Sequence, residues 1–530
     1  MKGFYQKFSK VLEDIVKKEY ETELDPPLWE VPSRQDFGDL STMVSLKLAS
    51  KLKKDPLEVA TCLKGILEKQ IGEGIEKIEI LKPGFINIFF AKDALIKSLN
   101  ELIENKDKFF RHNIKKKIIL EFLSANPTGP LSIAHGRQAV VGDCLGNILK
   151  FCGVNVEREY YVNDAGKQLD LFIKSVNERI KEIQGQSFKL PEGGYQGEYV
   201  KDIAKAVISA SPKDERTFVL TYVLSWIKKD LENLGINFDN WASQQKIIDD
   251  KKIEKVIEVL KEKDLIYDKE DALWFSSTKF GDDKDRVIKK SDGELTYFAS
   301  DIAYHEDKIK RGADELVNLW GPDHHGYIER VKSAISALGY NRDILKVIII
   351  QLVSLKTKEK MSKRKGTAIL LSDLIKEVGK DTTRFYYLTR KNSSHLDFDI
   401  DLAKATSFEN PLYYIQYCCA RIESIFEKAK EKKVNIKYSV FLQSEEDLSL
   451  TRALLQFSYM LEKAYYALEP VFIIEYLKSI AALFHKFYET NRVLGEEENI
   501  EGARLNLLAA TRIVLHCGLN LLGITPAKKM

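Results

Sequence analysis

Cysteine is scarce in this 530-residue sequence, and neither sign of charge dominates it. The six cysteines form no Cys-x-x-Cys pair, so neither a disulfide framework nor a zinc ribbon is indicated. No stretch approaches the run of about 18 apolar residues that a membrane helix requires, and the amino-terminal segment is charged throughout, unlike a signal peptide. The net charge of +3 neither demands nor excludes nucleic acid as a partner. We therefore expect a cytoplasmic protein with no membrane association.

The chain is too long to fold around a single core. Residues 1–110 have the pattern of a small α/β module, with helical periodicity over 3–20 and 40–70. The segment KIEILKPGFINIFF alternates like a β-hairpin that turns at Pro83 and Gly84. From about Ala405 to Met530 the pattern is helical throughout.

The middle of the chain has the strand–helix–strand pattern of a parallel sheet covered by helices. The predicted strands are IILEFLSAN, VNVEREYYV, ELVNLW and KVIIIQLVSL, the last taken as one buried strand. A helix that ends at Gly339 is predicted before this last strand. Residues 190–280, rich in helix formers, are predicted to be a mostly helical insertion into the sheet.

The loop SANPTGPLSIAHGRQ follows the first of these strands and runs directly into a helix. Ligands bind at the carboxyl ends of strands in open α/β sheets, and a helix N-terminus suits phosphate. The loop matches neither GxGxxG nor the P-loop. An alternative is that its prolines and glycine only shape a turn and that His135 caps the helix.

A cationic segment, KTKEKMSKRKGTAI, follows KVIIIQLVSL. A run of this kind is usually a solvated surface. Here a buried strand precedes it and Gly366 lies inside it, so we expect a loop at the same sheet edge as His135. A cationic loop that faces a helix N-terminus could bind a phosphate group between the two segments.

Together the two segments resemble the HIGH-type and KMSKS-type motifs of class I aminoacyl-tRNA synthetases. Further motifs, in order and spacing, resemble the arginyl-tRNA synthetase family over nearly the whole chain. They are FGDLSTMVSLKLA, EFLSANPTGPL, AVVGD, EYYVNDAGKQ, TYFASDIAYH, LVNLWGPDHHGY, SSHLDFDIDLAK, ENPLYYIQY and HKFYETNRVLG.

The resemblance implies a multidomain α/β fold with a class I, Rossmann-type parallel sheet. The domains it implies are an N-terminal tRNA-contacting α/β module (1–110), two halves of the catalytic domain (111–189 and 281–370), a connective insertion (190–280), a stem-contact joint (371–405) and a helical anticodon-binding domain (406–530). The implied reaction joins L-arginine to ATP as arginyl-adenylate, then transfers it to the terminal adenosine of tRNA(Arg). ATP enters with Mg²⁺, and we expect no tightly bound cofactor and no structural metal.

The resemblance also implies roles for individual residues. The residues expected to bind ATP are Ser132, Ile133, Ala134, His135, Gly136, Met361, Ser362 and Lys363. Those expected to act in catalysis are Ser132, His135, Lys360 and Lys363. Those expected to bind arginine are Glu121, Ser124, Asn126, Tyr297, Asp301 and Asp323.

Glu121 has an alternative explanation as an edge or ion-paired residue of its strand. We favour the binding role, because a buried carboxylate is costly unless paired and a guanidinium is a good partner. In the run GPDHHG, neighbouring residues of a regular strand would face opposite sides, so we do not expect Asp323, His324 and His325 to bind one metal ion.

The HIGH-type motif departs from its usual form, because His-x-Gly-His appears as Ser132-Ile133-Ala134-His135. Ser132 lacks an imidazole, and Ala134 adds a methyl group where glycine lets adenine approach the backbone. We predict weaker use of ATP than with the full motif, but not a loss of function.

The helical domain is expected to bind tRNA, and Tyr413, Tyr414 and Tyr417 are candidates to stack on RNA bases. Their helical spacing fits a core position equally well, and we favour that explanation. We expect a monomer. The alternatives are a tRNA-binding paralogue with impaired catalysis, a HIGH-type nucleotidyltransferase acting on a small substrate and, more remotely, a metal-dependent phosphoesterase.

Overall fold

The computed structural model describes residues 4–32, 34–71, 74–356, 369–429 and 435–530. The strands are β1 Leu40–Thr42, β2 Ile75–Leu81, β3 Phe85–Phe90, β4 Lys117–Glu121, β5 Asn155–Val162, β6 Asn240–Ser243, β7 Ile266–Lys269, β8 Ala272–Phe275, β9 Arg286–Lys289, β10 Glu315–Trp320, β11 Leu345–Ile349, β12 Val353–Lys356 and β13 Leu396–Asp399. The helices are α1 Phe4–Glu19, α2 Val44–Leu52, α3 Pro56–Ile71, α4 Lys92–Asn105, α5 Ile133–Phe151, α6 Lys167–Ile183, α7 Glu198–Ala210, α8 Glu215–Leu234, α9 Gln244–Asp249, α10 Lys252–Glu262, α11 Tyr297–Lys310, α12 Ile328–Leu338, α13 Leu371–Val378, α14 Lys380–Tyr387, α15 Ile400–Lys404, α16 Pro411–Lys428, α17 Glu445–Leu455, α18 Phe457–Ala467, α19 Val471–Thr490 and α20 Glu498–Leu521.

The chain forms two compact units. The central unit comprises Lys115–Lys150 and Val154–Ala403. The terminal unit comprises Met1–Ile114, Phe151–Gly153 and Lys404–Met530. Among the described residues, no helix combines the length and the apolar character that crossing a bilayer needs.

The central unit contains a parallel sheet with the strand order β11-β10-β4-β5-β6. The chain extends this sheet from β4 through β5 to β6 and later continues on the other side of β4 with β10 and β11. The strand order therefore reverses between β4 and β10. In open α/β sheets ligands bind in the crevice at the carboxyl ends of the strands at such a point. The predicted parallel α/β sheet is confirmed.

Helix α5 connects β4 to β5 and packs closely on the residue that follows β4. A Cβ atom at Gly142 would lie only 2.2 Å from Cγ of Phe122. Phe122 is fully buried, so its ring has little room to move and only glycine permits this approach. The sequence Val-Gly-Asp in the middle of α5 therefore fixes the distance between helix and sheet.

The prediction of a single strand for KVIIIQLVSL is wrong. It forms two strands in different sheets, because β11 pairs with β10 whereas β12 pairs with β13. Between them the N–H of Gln351 donates to the carbonyl of Asn392 at 2.9 Å, which draws the chain away from the parallel sheet. An apolar run indicates burial but does not identify the partner strand.

The insertion over 190–280 is mostly helical, as predicted, and contains α7 to α10. It also contributes β6 to the edge of the parallel sheet. In addition, β7 and β8 form an antiparallel sheet with β9.

In the terminal unit, the predicted hairpin of β2 and β3 is confirmed and forms a sheet with β1. The helical pattern predicted over 40–70 corresponds to α2 and α3, but the segment begins with the short strand β1, which was not predicted. Helix α2 ends where Lys53 adopts a φ of +53°, and α3 begins at Pro56, a residue favoured in a first helical turn.

The carboxyl-terminal part, α16 to α20, is helical as predicted. It packs with the amino-terminal module inside the terminal unit. The guanidinium of Arg452 pairs with the Asp39 carboxylate at 3.1 Å, and the rings of Phe110 and Phe457 lie 4.9 Å apart. The domain boundaries expected from the sequence stay a prediction.

Candidate active site

A cavity of about 600 Å³ lies at the point where the strand order reverses between β4 and β10. Its wall includes residues from the ends of β4, β5 and β10 and from the first turns of α5 and α11. The structure brings seven of the predicted site residues to this cavity, namely Glu121, Ser124, Asn126, His135, Tyr297, Asp301 and Asp323. Their individual roles remain predictions.

A sharp backbone turn follows β4 and forms one wall of the cavity. Leu123 and Ser124 have φ angles of +71° and +40°, a conformation that costs non-glycine residues free energy. The turn places the Ser124 hydroxyl so that it donates to Oε1 of Glu121 at 3.1 Å and accepts from the N–H of Tyr161 at 3.1 Å. The strained turn therefore fixes the orientation of the Glu121 carboxylate.

Glu121 has a cationic partner within the protein. The carboxylate is buried, and the ammonium of the fully buried Lys308 donates to its Oε2. The partner that a buried carboxylate needs is thus supplied by Lys308. The expected role of Glu121 toward a ligand rests instead on its place in the cavity wall.

Asp301, on α11, presents a second carboxyl group to the cavity. The Tyr327 hydroxyl donates to its Oδ2. Burial raises the pKa of Asp301 to about 7, and the nearby Glu121 acts in the same direction, whereas the Tyr327 hydrogen bond and the charge of Lys308 lower this pKa. Asp301 is therefore an acid that changes charge near neutral pH. Tyr297, the first residue of α11, is 55% exposed beside this cavity.

His135 caps the helix that begins at Ile133, as the alternative explanation proposed, and it also lines the cavity. Its Nδ1 accepts from the N–H of Ser132 at 3.1 Å. Burial lowers the pKa of His135, which favours the neutral ring. With Nδ1 as an acceptor, the remaining proton is assigned to Nε2. His135 can therefore donate one hydrogen bond through Nε2.

The predicted KMSKS-type residues Lys360, Met361, Ser362 and Lys363 lie outside the described residues. The segment that follows them, from Ile369, contacts the start of α5. The N–H of Ile133 donates to the Ile369 carbonyl at 3.1 Å, and the N–H of Leu371 donates to the Leu131 carbonyl at 2.8 Å.

Arg137 ties the first turn of α5 to segments on both sides of the KMSKS-type sequence. The side chain is buried and donates to the carbonyls of Gln351, Lys391 and Ser394 at distances from 2.7 to 2.9 Å. The backbone around the helix start is therefore held by an internal cation as well as by main-chain hydrogen bonds.

The GPDHHG run does not form a regular strand, so the argument used to exclude a shared metal ion does not apply. Pro322–Tyr327 is a 3-10 helix beyond the end of β10. Asp323 and His324 both line the cavity. Within the part of the chain that the structure describes, no group of three or more His, Cys, Asp or Glu side chains is arranged to hold a metal ion.

Several cavity residues were missed by the sequence reasoning. Asn163 and Gln168 bracket the predicted Asn126, because Asn163 Nδ2 donates to Asn126 Oδ1 at 2.6 Å and Asn126 Nδ2 donates to Gln168 Oε1 at 2.7 Å. Both follow β5, so their place after a parallel strand was a usable signal. Tyr161, Tyr304 and Tyr327 also line the cavity. Tyr304 lies inside α11, and no sequence signal distinguished it from a core residue.

The three tyrosines predicted as candidates for RNA stacking lie on α16 and are half-buried. Phe408, which is 56% exposed, packs beside all three, and the rings of Tyr414 and His485 stack at 4.4 Å. Tyr413, Tyr414 and Tyr417 are therefore neither core residues nor free surface side chains. Their role toward RNA stays a prediction.

Three family models match consecutive parts of the chain. The arginyl tRNA synthetase N terminal domain matches residues 4–90, the catalytic domain of class I tRNA synthetases (R) matches 98–398, and the DALR anticodon binding domain matches 415–530. The matches follow one another in the order that the sequence motifs predicted.

Related proteins match along nearly the whole chain. An arginine–tRNA ligase of Carboxydothermus hydrogenoformans is 42% identical, with 94% of each chain covered. An arginine–tRNA ligase of Thermotoga maritima is 40% identical, with 98% of each chain covered. The structure of the Thermus thermophilus arginyl-tRNA synthetase superimposes with a TM-score of 0.81 and 18% identity, covering 99% of this chain and all of that one, which supports the fold. This chain belongs to the arginyl-tRNA synthetase family of class I aminoacyl-tRNA synthetases.

Proposed function

We propose that this protein is an arginine–tRNA ligase, which activates L-arginine with ATP and transfers it to tRNA(Arg). The observation that carries this proposal is the match to two arginine–tRNA ligases at 40–42% identity over 94–98% of the chain. The cavity supports it chemically. Glu121 and Asp301 offer carboxyl groups to a guanidinium, which is always charged and presents a planar fork of donors.

The residues divide between the two substrates. Asp301 and Glu121 bind the guanidinium, Tyr297 packs on the arginine side chain, and Ser124 and Asn126 face its amino and carboxylate groups. Asp323 is the sixth residue of the arginine site. For Asn126, the flanking amides of Asn163 and Gln168 fix which way its own amide points.

Activation needs positioning and charge stabilisation more than covalent chemistry by the protein. ATP binds as its Mg²⁺ complex beside the first turn of α5, formed by Ser132 to Gly136, and His135 donates through Nε2. Lys360, Met361, Ser362 and Lys363 complete the ATP site, and Lys363 neutralises the departing pyrophosphate. The arginine carboxylate then attacks the α-phosphate in line.

Arginine-dependent ATP–pyrophosphate exchange, with and without tRNA(Arg), tests the proposed function. Exchange or charging of tRNA with arginine supports it, including exchange that appears only when tRNA is present. A protein that binds tRNA but shows neither reaction would be the impaired paralogue instead. The nucleotidyltransferase and phosphoesterase alternatives are not favoured, because the similarity to arginine–tRNA ligases extends over the terminal unit as well.

Restoring the usual HIGH-type motif should strengthen the use of ATP. In the variant Ser132→His/Ala134→Gly we expect a lower KM for ATP, because the new imidazole can donate to phosphate and the lost methyl group lets adenine lie closer. The measurement is ATP-dependent exchange at saturating arginine and tRNA. Ser132→Ala is the matched control, since it keeps the backbone N–H that donates to His135. Unchanged ATP kinetics in the double variant would contradict the prediction.

Arginine should bind more tightly as the pH rises through about 7. Asp301 must be ionised to pair with the guanidinium, and the pKa of this half-buried carboxyl lies at about 7 before arginine binds. Below that pH, binding must release a proton, so affinity falls by up to about tenfold for each pH unit. Calorimetric titration with L-arginine between pH 6 and 8.5, in two buffers with different ionisation enthalpies, measures both the affinity and the released proton. A flat profile would contradict this assignment.

The monomeric state and a cytoplasmic location remain predictions. Sedimentation of the purified full-length protein at several concentrations tests the first of them.

A further inference from the structure

A buried lysine lies behind the cavity wall. The side chain of Lys308 is fully buried on α11. Its ammonium donates to Glu121 and, at 3.2 Å, to Oδ1 of Asn318, and it lies 4.2 Å from the centroid of the Tyr304 ring. Desolvating an ammonium is costly, so these contacts must together compensate for its burial. The roles proposed above for the arginine site do not use Lys308.

Apart from Glu121, the groups that contact Lys308 are uncharged and are held in place by further hydrogen bonds. Asn318 Nδ2 donates to Nε2 of His305 at 3.0 Å, and Nδ1 of His305 lies 2.8 Å from the Asp301 carbonyl. Burial lowers the pKa of His305 to about 3, so this ring is neutral. Burial raises the pKa values of Tyr161, Tyr304 and Tyr327, so these hydroxyls keep their protons.

The charged groups at the buried end of the cavity include Asp301 and the Glu121–Lys308 pair. The fully buried Glu159 carboxylate accepts from the Tyr304 hydroxyl at 2.7 Å and is itself paired with Arg311 at 2.6 Å, so this second pair adds no net charge. Arg330 adds a cation farther out, over the ring of Tyr327 at 4.7 Å, where it is half-buried. The negative charge of Glu121 opposes ionisation of Asp301, and the ammonium of Lys308, which pairs with Glu121, counteracts this effect.

We propose that Lys308 is a specificity-determining positioning residue, which neutralises Glu121 so that the buried end of the cavity offers one negative charge, on Asp301, to one guanidinium. This inference rests on the proposed function, because it concerns the same arginine site. Lys308 does not touch the ligand; it acts through Glu121. Once Asp301 is ionised, the pocket therefore matches the single positive charge of its substrate.

Opposite effects on Asp301 make the proposal testable. Glu121 raises the pKa of Asp301 and Lys308 lowers it. Removing Lys308 alone should therefore move the pH midpoint of arginine binding upward. Removing Glu121 alone should move it downward, and removing both should return it toward the wild-type value.

The experiment is calorimetric titration of the full chain with L-arginine from pH 6 to 8.5. The variants are Lys308→Met, Glu121→Gln and the double variant. We expect the midpoint to rise by about one pH unit in Lys308→Met and to fall in Glu121→Gln, as for an opposite or like charge at close range. The affinity at high pH can also drop in variants that lack Glu121, but the midpoint reports the charge balance independently.

A purely structural role for Lys308 would lower stability without moving the midpoint. The proposal is overturned if Lys308→Met has the same midpoint as the wild type. It is also overturned if the double variant has the same midpoint as Lys308→Met. If Lys308→Met does not fold, the comparison of Glu121→Gln with the double variant decides, because the double variant must have the higher midpoint. If the wild-type protein binds no arginine at any pH and does not charge tRNA, the result contradicts the proposed function itself, and with it the role of Lys308.

Discussion

Replacing Asp301 with asparagine is expected to lower kcat/KM for arginine by two to three orders of magnitude. The change keeps the size of the side chain but removes a charge from the cavity wall. A guanidinium cannot lose its proton, so it would enter the cavity without this counter-ion. Truncating one partner of a desolvated charge pair costs about 2–5 kcal/mol, which is roughly 30- to 4,000-fold in affinity or rate, and the expected effect lies within this range.

Steady-state aminoacylation with varied arginine measures this effect, and the KM for ATP should change little. Two further variants serve as controls. Asp268→Asn removes an exposed carboxylate of β7 in the same unit and should behave as wild type. Tyr327→Phe removes only the hydroxyl that donates to Asp301 and should have a smaller effect. Normal arginine kinetics in the Asp301→Asn variant would show that Asp301 does not bind the arginine substrate.

The parallel sheet was predictable because its strands are short apolar runs that alternate with helices. ELVNLW corresponds to β10 residue for residue, since both of its ends are marked by a change to polar or turn-forming residues. The pairing of strands was not predictable. KVIIIQLVSL divides between two sheets because β12 finds its partner in β13, about 40 residues further along the chain.

The candidate site was predicted in part for a similar reason. Glu121, His135 and Asp301 were found because they lie in recognisable motifs next to strand or helix ends. Lys308 was not, because its position inside α11 resembles that of any exposed lysine on an amphipathic helix. Its partners, Glu121 and Asn318, are 187 and 10 residues away in the sequence and meet only in the folded chain. Buried charge pairs of this kind are invisible to local patterns.

The largest stability effect is expected at Arg384, which is fully buried on α14. Its guanidinium donates to Oδ2 of Asp143 at 2.5 Å and to the carbonyl of Leu234 at 3.0 Å. Asp143 lies on α5 and also pairs with Arg158 at 3.2 Å. The pair therefore connects α5 with α14 and with the end of α8 inside the central unit.

We expect Arg384→Met to lower the stability of the central unit by about 3–5 kcal/mol. Methionine fills much of the volume, but Asp143 and the Leu234 carbonyl lose a charged donor in a desolvated position, which is the costly way to break a buried pair. For a unit of this size the loss corresponds to a fall in melting temperature on the order of 10 °C. Differential scanning calorimetry of the full-length protein measures it.

The matched control is Lys229→Met, which removes an exposed ammonium that pairs with Glu232 on α8 at 3.6 Å. Exposed pairs contribute little, so this variant should melt within about 1 °C of the wild type. Asp143 is about two helical turns from His135. The arginine and ATP kinetics of Arg384→Met should therefore remain near normal below its melting transition. Equal melting temperatures for both variants would mean that the buried pair contributes no more than a surface pair. A selective loss of ATP use at low temperature would instead mean that the pair positions the first turn of α5.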